Sequence, residues 1–259
     1  MDIYLINLDH RTDRMANMQT QLDQMELAFT RVSAVNGLGD ADIGYPADHP
    51  RLSKSEFACY LSHRNCWQAL IESGAARCLI LEDDIVFAAN FKSHLLHKPY
   101  YAHSGCVTRL ECRPYRTFVA KLWLRSFKGV RLRRLMAYDG GTGAYVLTRE
   151  YAAYLLKNHS DPKVPVDDQV LDPEESNFRP HKIYQLDPAL AIQQQFLSKD
   201  TKHSENGSDL DATRVTPENK RPEPNQIAPK LKAVLARRWL YFQRNVFQTC
   251  KAVPFLDEK

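Results

Sequence analysis

Residues 78–87 read CLILEDDIVF and set three consecutive carboxylates between two apolar runs. The first run, residues 78–81, is short, unbroken and flanked by polar sequence, which predicts a strand buried on both faces of a mainly parallel sheet. Open α/β sheets bind ligands at the carboxyl ends of their strands, so the three carboxylates are expected in such a crevice. Because side chains alternate along an extended chain, Glu82 and Asp84 should point to one side and Asp83 to the other.

Carboxylates that are aimed together into a crevice predict a cation. Glu82 and Asp84 would repel each other, and a divalent ion bound through the phosphates of a ligand removes that repulsion. The triplet therefore predicts Mg²⁺ or Mn²⁺ together with a diphosphate. An isolated acidic triplet is also typical of a solvated turn after a core strand, and only the rest of the chain distinguishes the two interpretations.

Length, charge and cysteine content limit the class of protein. A chain of 259 residues can form one large α/β domain or two small ones. The formal charge is only +4, but basic residues concentrate in residues 109–134 and 230–251, which indicates anionic partners and not a general nucleic-acid coat. We find no C-x-x-C pair, no leader and no apolar run long enough to span a bilayer, so we expect a protein of the reducing cytoplasm.

The first strand leads into a basic loop. The sequence IYLINL, residues 3–8, predicts a buried strand, and Arg11 and Arg14 follow it at the start of a helical pattern. Their guanidinium groups could pair with a diphosphate or hold a neighbouring carboxylate. Surface arginines at a helix start are the alternative.

A second helix is predicted from Ser53 to Gly74. Ser53 and Glu56 have the spacing of a capping box, and Gly74 is a plausible C-cap. His63 interrupts the apolar pattern of this helix. A single histidine on a helix is more often a packing residue than a ligand.

Four motifs together resemble the family 25 glycosyltransferases. They are INLDHRTDR, RVSAVNG, LSKSEFACYLSHRNCW and LILEDDIVF, in this order and at this spacing. The family includes bacterial lipopolysaccharide and lipooligosaccharide galactosyltransferases and, more distantly, collagen galactosyltransferases. The resemblance covers about the first 90 residues and resumes at Gly140. It implies a GT-A nucleotide-sugar fold, a UDP-sugar donor and an acidic motif on Mn²⁺ or Mg²⁺.

The resemblance also implies a set of site residues. It implies metal ligation by Glu82 and Asp84, with His203 as a further ligand by its position near the end of the core. Donor contacts are implied for the residues in or near the matching motifs, which are Asn7, Arg11, Arg14, Val35, Asn36, Glu82, Asp83, Gly141, Thr142 and Gly143.

The resemblance also implies a role for a second carboxylate pair, Asp167 and Asp168, because GT-A folds usually carry an acidic residue at this point, beneath the acceptor. In inverting members of such folds that residue is the general base, which must reach the acceptor hydroxyl. Asp168 is our first choice and Asp167 the second. The alternative is a pair of aspartates that cap a helix N-terminus.

Three segments are predicted along the chain: a GT-A-like domain in residues 1–204, a linker in 205–229 and a basic amphipathic helix in 230–259. Such a helix suits an anionic membrane, or packs back on the domain. The basic residues 109–134 would border the acceptor site or form a solvated face.

The predicted activity is metal-dependent, inverting transfer of a hexose, first of all galactose, from a UDP-sugar to a lipid-linked oligosaccharide of the lipopolysaccharide core. The protein would work in the cytoplasm, at the inner membrane. The alternatives are a metal-dependent phosphohydrolase and a module that binds nucleic acid or membrane through its basic patches and has an inactive core.

Overall fold

A mixed nine-stranded sheet forms the centre of the protein. In this computed structural model the described residues are 1–39, 42–46, 52–101, 107–137, 140–159, 162–171, 182–197 and 248–256. The first part of the chain alternates strands and helices, in the order β1 (Asp2–Asn7), α1 (Thr12–Gln24), β2 (Thr30–Ser33), α2 (Lys54–Ser73) and β3 (Arg77–Glu82).

The middle of the chain adds shorter elements and a long hairpin. These elements are β4 (Ile85–Phe87), α3 (Phe91–Leu95), a 3₁₀ turn (Lys98–Tyr101), β5 (Val107–Arg109), β6 (Glu111–Cys112), β7 (Arg116–Phe127) and β8 (Val130–Leu135). The last described elements are β9 (Ala144–Thr148), α4 (Arg149–Asn158), α5 (Val166–Leu171), β10 (Ile183–Asp187), β11 (Ala191–Gln193), a 3₁₀ turn (Gln194–Phe196) and β12 (Gln248–Ala252).

The order of the strands brings several loops to one edge of the sheet. The order is β12-β7-β8-β10-β5-β9-β3-β1-β2, and a small second sheet has the order β4-β11-β6. Six of the nine strands run in the same direction, whereas β8, β9 and β12 run against them. The α/β class with a mainly parallel sheet is therefore confirmed. The carboxyl ends of β1 and β3 and the start of β9 lie at the same edge.

Strand β3 is buried on both faces, as its apolar run predicts. Leu79 and Leu81 belong to one apolar cluster, whereas Cys78 and Ile80 belong to the cluster on the opposite face. All four are fully buried. Burial of each leucine or isoleucine side chain contributes about 1.5–3 kcal/mol, so this strand anchors the carboxylates that follow it.

Helix α2 begins and ends as the sequence predicts. The backbone N–H of Glu56 donates to the Ser53 hydroxyl (3.2 Å), and the Glu56 carboxylate accepts from the Ser53 N–H (2.9 Å). Gly74 ends the helix with a φ of 71°, a conformation that favours glycine.

The predicted C-terminal helix is wrong for its last part. Residues 248–252 form β12, which pairs antiparallel with β7, so they belong to the main sheet. Val253 is buried in a third apolar cluster beside Cys112 and Ile192. The predicted linker and residues 230–247 lie outside the described residues. None of the helices in the described ranges combines the length and hydrophobicity needed to cross a bilayer.

Candidate active site

The acidic triplet lines a cavity of about 370 Å³ at the shared edge of the sheet. Glu82 is the last residue of β3, and Asp83 and Asp84 form a turn before β4. All three line this first cavity. The expectation that Asp83 faces away from the other two is therefore wrong, because the extended chain ends at Glu82 and alternation ends with it.

Asp83 is held by two residues from the first βα unit. The Asn7 amide donates to one Asp83 carboxylate oxygen (2.8 Å), and Arg14 donates to the other (3.1 Å). Asp83 and Arg14 are both buried. Arg14 thus holds a neighbouring carboxylate, which was one of its two predicted roles.

Asp84 has the environment of a cation ligand. It is buried, and its Oδ1 atom has no hydrogen-bond partner among the residues that the structure describes. Burial, followed by the charge of Glu82, raises the pKa of Asp84 to about 7. A buried carboxylate oxygen is costly to leave without a partner. Asp84 and Glu82 therefore fit the oxygen ligands that Mg²⁺ or Mn²⁺ prefers.

Glu82 accepts hydrogen bonds from three different elements. His63 Nε2 and the Thr142 hydroxyl each lie 3.2 Å from Oε1, and the Gln193 amide donates to Oε2 (3.4 Å). Burial acts to raise the pKa of Glu82, but the hydrogen bonds and the charge interaction with His63 outweigh it, so the pKa is lowered. Glu82 is therefore the ionised partner of Asp84.

A chain of buried aromatic groups orients His63 toward Glu82. The indole N–H of Trp67 donates to the Tyr145 hydroxyl oxygen (3.1 Å), and the same hydroxyl lies 3.0 Å from His63 Nδ1. Because the ionised Glu82 carboxylate can only accept, Nε2 carries the proton of the bond between them. The Tyr145 oxygen accepts from Trp67, and the same hydroxyl bonds to the other ring nitrogen, Nδ1.

The loop of residues 140–143 contacts two more carboxylates. The Gly141 N–H donates to Asp167 Oδ2 (3.2 Å), and the Gly143 N–H donates to Glu111 Oε1 (2.8 Å). Gly141 has a φ of 100°, and a Cβ there would lie 2.8 Å from Glu111. A side chain at this position would displace the loop from both acids.

A second, smaller cavity of about 180 Å³ adjoins the first. Cys59 and Glu82 line both cavities. The second cavity is also lined by Asp167, Gly141 and Thr142, by Gln193, and by Arg113 with Tyr115 and Phe196. The Arg113 guanidinium lies over the rings of Tyr115 (5.4 Å) and Phe196 (5.7 Å). Two compartments thus meet at Glu82.

The structure separates the two candidate bases. Asp167 is buried, lines the second cavity, and its Oδ1 also accepts from the Asp168 N–H (3.2 Å). Asp168 is half-buried and is not among the lining residues of either cavity. The geometry therefore favours Asp167 over our first choice.

Most of the predicted donor residues are brought together. Asn7, Arg14, Val35, Asn36, Asp83 and Glu82 line the first cavity, and Gly141 and Thr142 line the second. Arg11 lines neither, because its guanidinium pairs with Asp13 (3.1 Å). Gly143 lines neither cavity: its N–H donates to Glu111, and an added Cβ would lie 2.7 Å from Ile85 Cδ1. His203 lies outside the described residues.

Sequence reasoning missed Glu111 and Gln193 and undervalued His63. Glu111 is fully buried, and burial raises its pKa to about 8 although the charge of Arg109 opposes the change. No local pattern marks Glu111 or Gln193, since β6 and β11 meet only in the folded sheet. A signal for His63 did exist: Cys59 precedes it by four residues, on the same helical face.

Comparison with known proteins gives a consistent set of relatives. The family model described as "Glycosyltransferase family 25 (LPS biosynthesis protein)" matches residues 1–170. The probable inactive glycosyltransferase 25 family member 3 of Bos taurus is 36% identical over 107 residues, which cover 36% of this chain and 18% of that protein. Procollagen galactosyltransferase 1 of Danio rerio is 33% identical over 107 residues, with the same coverage. The chain thus spans less than a fifth of the length of these relatives.

Among solved structures, a glycosyltransferase involved in the glycosylation of the major capsid of PBCV-1 is similar with a TM-score of 0.42 and 11% identity. The similarity covers 76% of this chain and 95% of that one.

Proposed function

The chain belongs to glycosyltransferase family 25, and from this premise we propose that it is a metal-dependent inverting transferase. It moves a hexose, galactose in our proposal, from a UDP-sugar to a saccharide hydroxyl. One observation carries the proposal: the buried Asp84, with one oxygen unpaired among the described residues, lines the first cavity beside the ionised Glu82, and Glu82 lines both cavities. A donor and an acceptor need such adjoining compartments with the reaction between them.

The first cavity is the proposed site of the UDP moiety. Its wall combines apolar groups, including Val35 and Ile6, with a few polar side chains, which is usual for a site that binds a small molecule. The exposed Asn36 lines this cavity, and Asn7 and Arg14 hold Asp83 in the wall. The diphosphate would lie toward Glu82 and Asp84.

Glu82 and Asp84 are the proposed ligands of Mg²⁺ or Mn²⁺. When bound, such an ion stabilises the charge that builds on the departing diphosphate. His63, Thr142 and Gln193 fix the direction of the Glu82 carboxylate through their hydrogen bonds. The protein thus orients the Glu82 carboxylate before the sugar donor binds.

Asp167 is the proposed general base, in place of Asp168. The hydroxyl of the acceptor gives its proton to Asp167 while its oxygen attacks the anomeric carbon. The diphosphate leaves from the opposite face, so an α-linked donor yields a β-linked product. The Gly141 N–H orients the Asp167 carboxylate, and the rings of Tyr115 and Phe196 offer apolar surface to a sugar.

We propose a lipid-linked oligosaccharide of the lipopolysaccharide type as acceptor, and a cytoplasmic protein that works at the membrane surface. The β7–β8 hairpin supports this, since Leu122, Trp123 and Leu124 are 79%, 48% and 40% exposed. The exposed Arg131 has its guanidinium over the Trp123 ring at 4.8 Å. Exposed apolar groups among cations suit an anionic lipid surface. Cosedimentation with anionic but not zwitterionic vesicles tests this part.

A thermal-shift screen of nucleotide sugars with and without Mn²⁺ tests the donor and the metal. A ligand at 100 times its dissociation constant should add about 2.7 kcal/mol to the free energy of unfolding. Asp84→Ala should abolish the metal-dependent part, whereas Asp23→Ala, an exposed aspartate on α1, should retain it. If uridine compounds leave the melting temperature unchanged, the transferase proposal fails.

The alternative is a binding module with an inactive core, and the name of the Bos taurus relative gives it a specific basis. It predicts binding of UDP without sugar transfer. A transfer assay with a panel of saccharide acceptors separates the two, because release of UDP that depends on the acceptor requires an active centre.

A further inference from the structure

A sulfur, a nitrogen and a carboxylate oxygen converge at the boundary between the two cavities. Cys59 and His63 lie one turn apart on α2, and Glu82 approaches them from the end of β3. The three donor atoms all lie within 4.8 Å of one another, and His63 Nε2 is 3.2 Å from Glu82 Oε1. We propose that Cys59, His63 and Glu82 form a binding site for a thiophilic divalent ion such as Zn²⁺, and that this ion inhibits the transferase.

The chemistry of the three donors favours Zn²⁺ over Mg²⁺ or Mn²⁺. Zinc takes cysteine, histidine and carboxylate ligands, and a site with three protein ligands leaves a position open. Mg²⁺ and Mn²⁺ prefer oxygen and gain little from a thiolate or an imidazole. Cys59 and His63 therefore discriminate between the two kinds of ion.

The surroundings of Cys59 favour a cation. Cys59 is a half-buried free thiol. Its Sγ atom lies within 4.8 Å of a carboxylate oxygen of Glu82. The negative charge of that carboxylate attracts a divalent ion, and the ion replaces the thiol proton when sulfur binds it.

His63 has the outer partner that a metal-bound imidazole needs. Its Nδ1 atom faces the Tyr145 hydroxyl at 3.0 Å. When Nε2 gives its lone pair to the ion, the ring proton resides on Nδ1 and donates to the Tyr145 oxygen. Binding thus releases one proton from Cys59 and about three water molecules from the hydrated ion to solvent. The ring proton moves from Nε2 to Nδ1 by exchange with solvent, and sulfur, nitrogen and oxygen each form a bond to the ion.

Inhibition follows from the double role of Glu82. In the proposed function Glu82 and Asp84 hold the catalytic ion, and a thiophilic ion bound to Glu82 draws that carboxylate toward Cys59 and His63 and places a second positive charge beside the catalytic ion. This consequence rests on the proposed function, whereas binding of the thiophilic ion does not. Because Cys59 and Glu82 line both cavities, an ion can enter from either side.

Cobalt is the probe for the site, because Co²⁺ takes zinc ligands and reports a bound thiolate by a sulfur-to-metal charge-transfer band. We expect the intact protein to bind one Co²⁺ with this band, and Zn²⁺ to remove it by displacement. Cys59→Ser should lose the band and weaken Co²⁺ binding by roughly a hundredfold or more. This loss is larger than that expected from mutation of a residue that only hydrogen-bonds to a metal ligand. Cys66→Ser, two turns along α2 and buried in the core, should keep the band.

Two results would overturn the proposal: a folded wild-type protein without the band, or a band that survives in Cys59→Ser. Far-ultraviolet circular dichroism confirms that each variant is folded. No nucleotide is present in this titration, so a band in a protein that ignores UDP-sugars would leave the metal site standing and remove the transferase. The proposal that the ion inhibits the transferase is tested by adding Zn²⁺ to the Mn²⁺-dependent transfer assay. Relative to each variant's uninhibited rate, inhibition should be weaker in Cys59→Ser than in Cys66→Ser.

Discussion

At the scale of single residues, the two adjacent aspartates should behave very differently. Asp167→Asn removes the proposed proton acceptor, so we expect kcat to fall by about 10²–10⁴ with little change in KM. Asp168→Asn is the matched control, and it should stay close to wild type because Asp168 lines neither cavity. Steady-state kinetics of sugar transfer measures both. Equal losses in the two variants would contradict the assignment of Asp167.

Glu111 should make stability depend on pH. Its pKa is about 8 in the folded protein, above the ordinary value of 4.5, so the folded state holds the proton more tightly. Its stabilising contribution is thus fully present below about pH 4.5 and is lost as the pH rises through 8. Between pH 5 and pH 9, the free energy of unfolding of Glu111→Gln should rise by about 4 kcal/mol relative to that of wild type.

Urea unfolding at the two pH values measures this difference in the free energy of unfolding. The control is Glu72→Gln, since Glu72 is exposed and bonds only locally to Gln68 in the hydrogen bond described (2.9 Å). A difference that is the same at pH 5 and pH 9 would show that Glu111 is not held protonated.

At the scale of elements, α2 carries Cys59 and His63, and its capping box sets where it begins. Ser53→Ala removes the hydroxyl that accepts from the Glu56 N–H, and should lower the free energy of unfolding by about 1 kcal/mol. Thr12→Ala, at the start of α1, is the control because that helix has no side-chain cap bond. Denaturant unfolding reports both changes. No loss in Ser53→Ala would mean that the cap contributes nothing.

Elements with a local signal were predictable, and those that depend on distant partners were not. The apolar run of β3 and the capping box of α2 each depend on residues close together in the sequence, and the structure confirms both. Residues 248–252 carry no such signal, and they form a strand because β7 offers them a partner. Glu111 reaches the site for the same reason, through the pairing of β6 with β11. The choice of Asp167 over Asp168 could not be made from the sequence, because it depends on which of the two side chains lines the second cavity.

At the scale of the whole molecule, Asp187 ties three strands of the sheet together. It is buried at the end of β10, and it accepts from Arg133 of β8 (2.7 Å) and from Lys251 of β12 (2.8 Å). Asp187→Ala leaves the buried Arg133 charge uncompensated, so we expect a loss of about 3–5 kcal/mol. Lys251→Ala should cost less, about 1 kcal/mol, since Lys251 is partly exposed. Thermal and urea unfolding of the two variants test this order, and the reverse order would contradict it.

The wall that the two cavities share has a thermodynamic consequence. Glu82 lines both cavities, so a molecule that binds in one cavity alters the electrostatic potential in the other. Coupling between two binding equilibria is reciprocal. If a bound nucleotide raises the affinity for a saccharide, the bound saccharide must raise the affinity for the nucleotide by the same factor. Calorimetric titration of each partner in the presence and absence of the other would measure that factor from both directions.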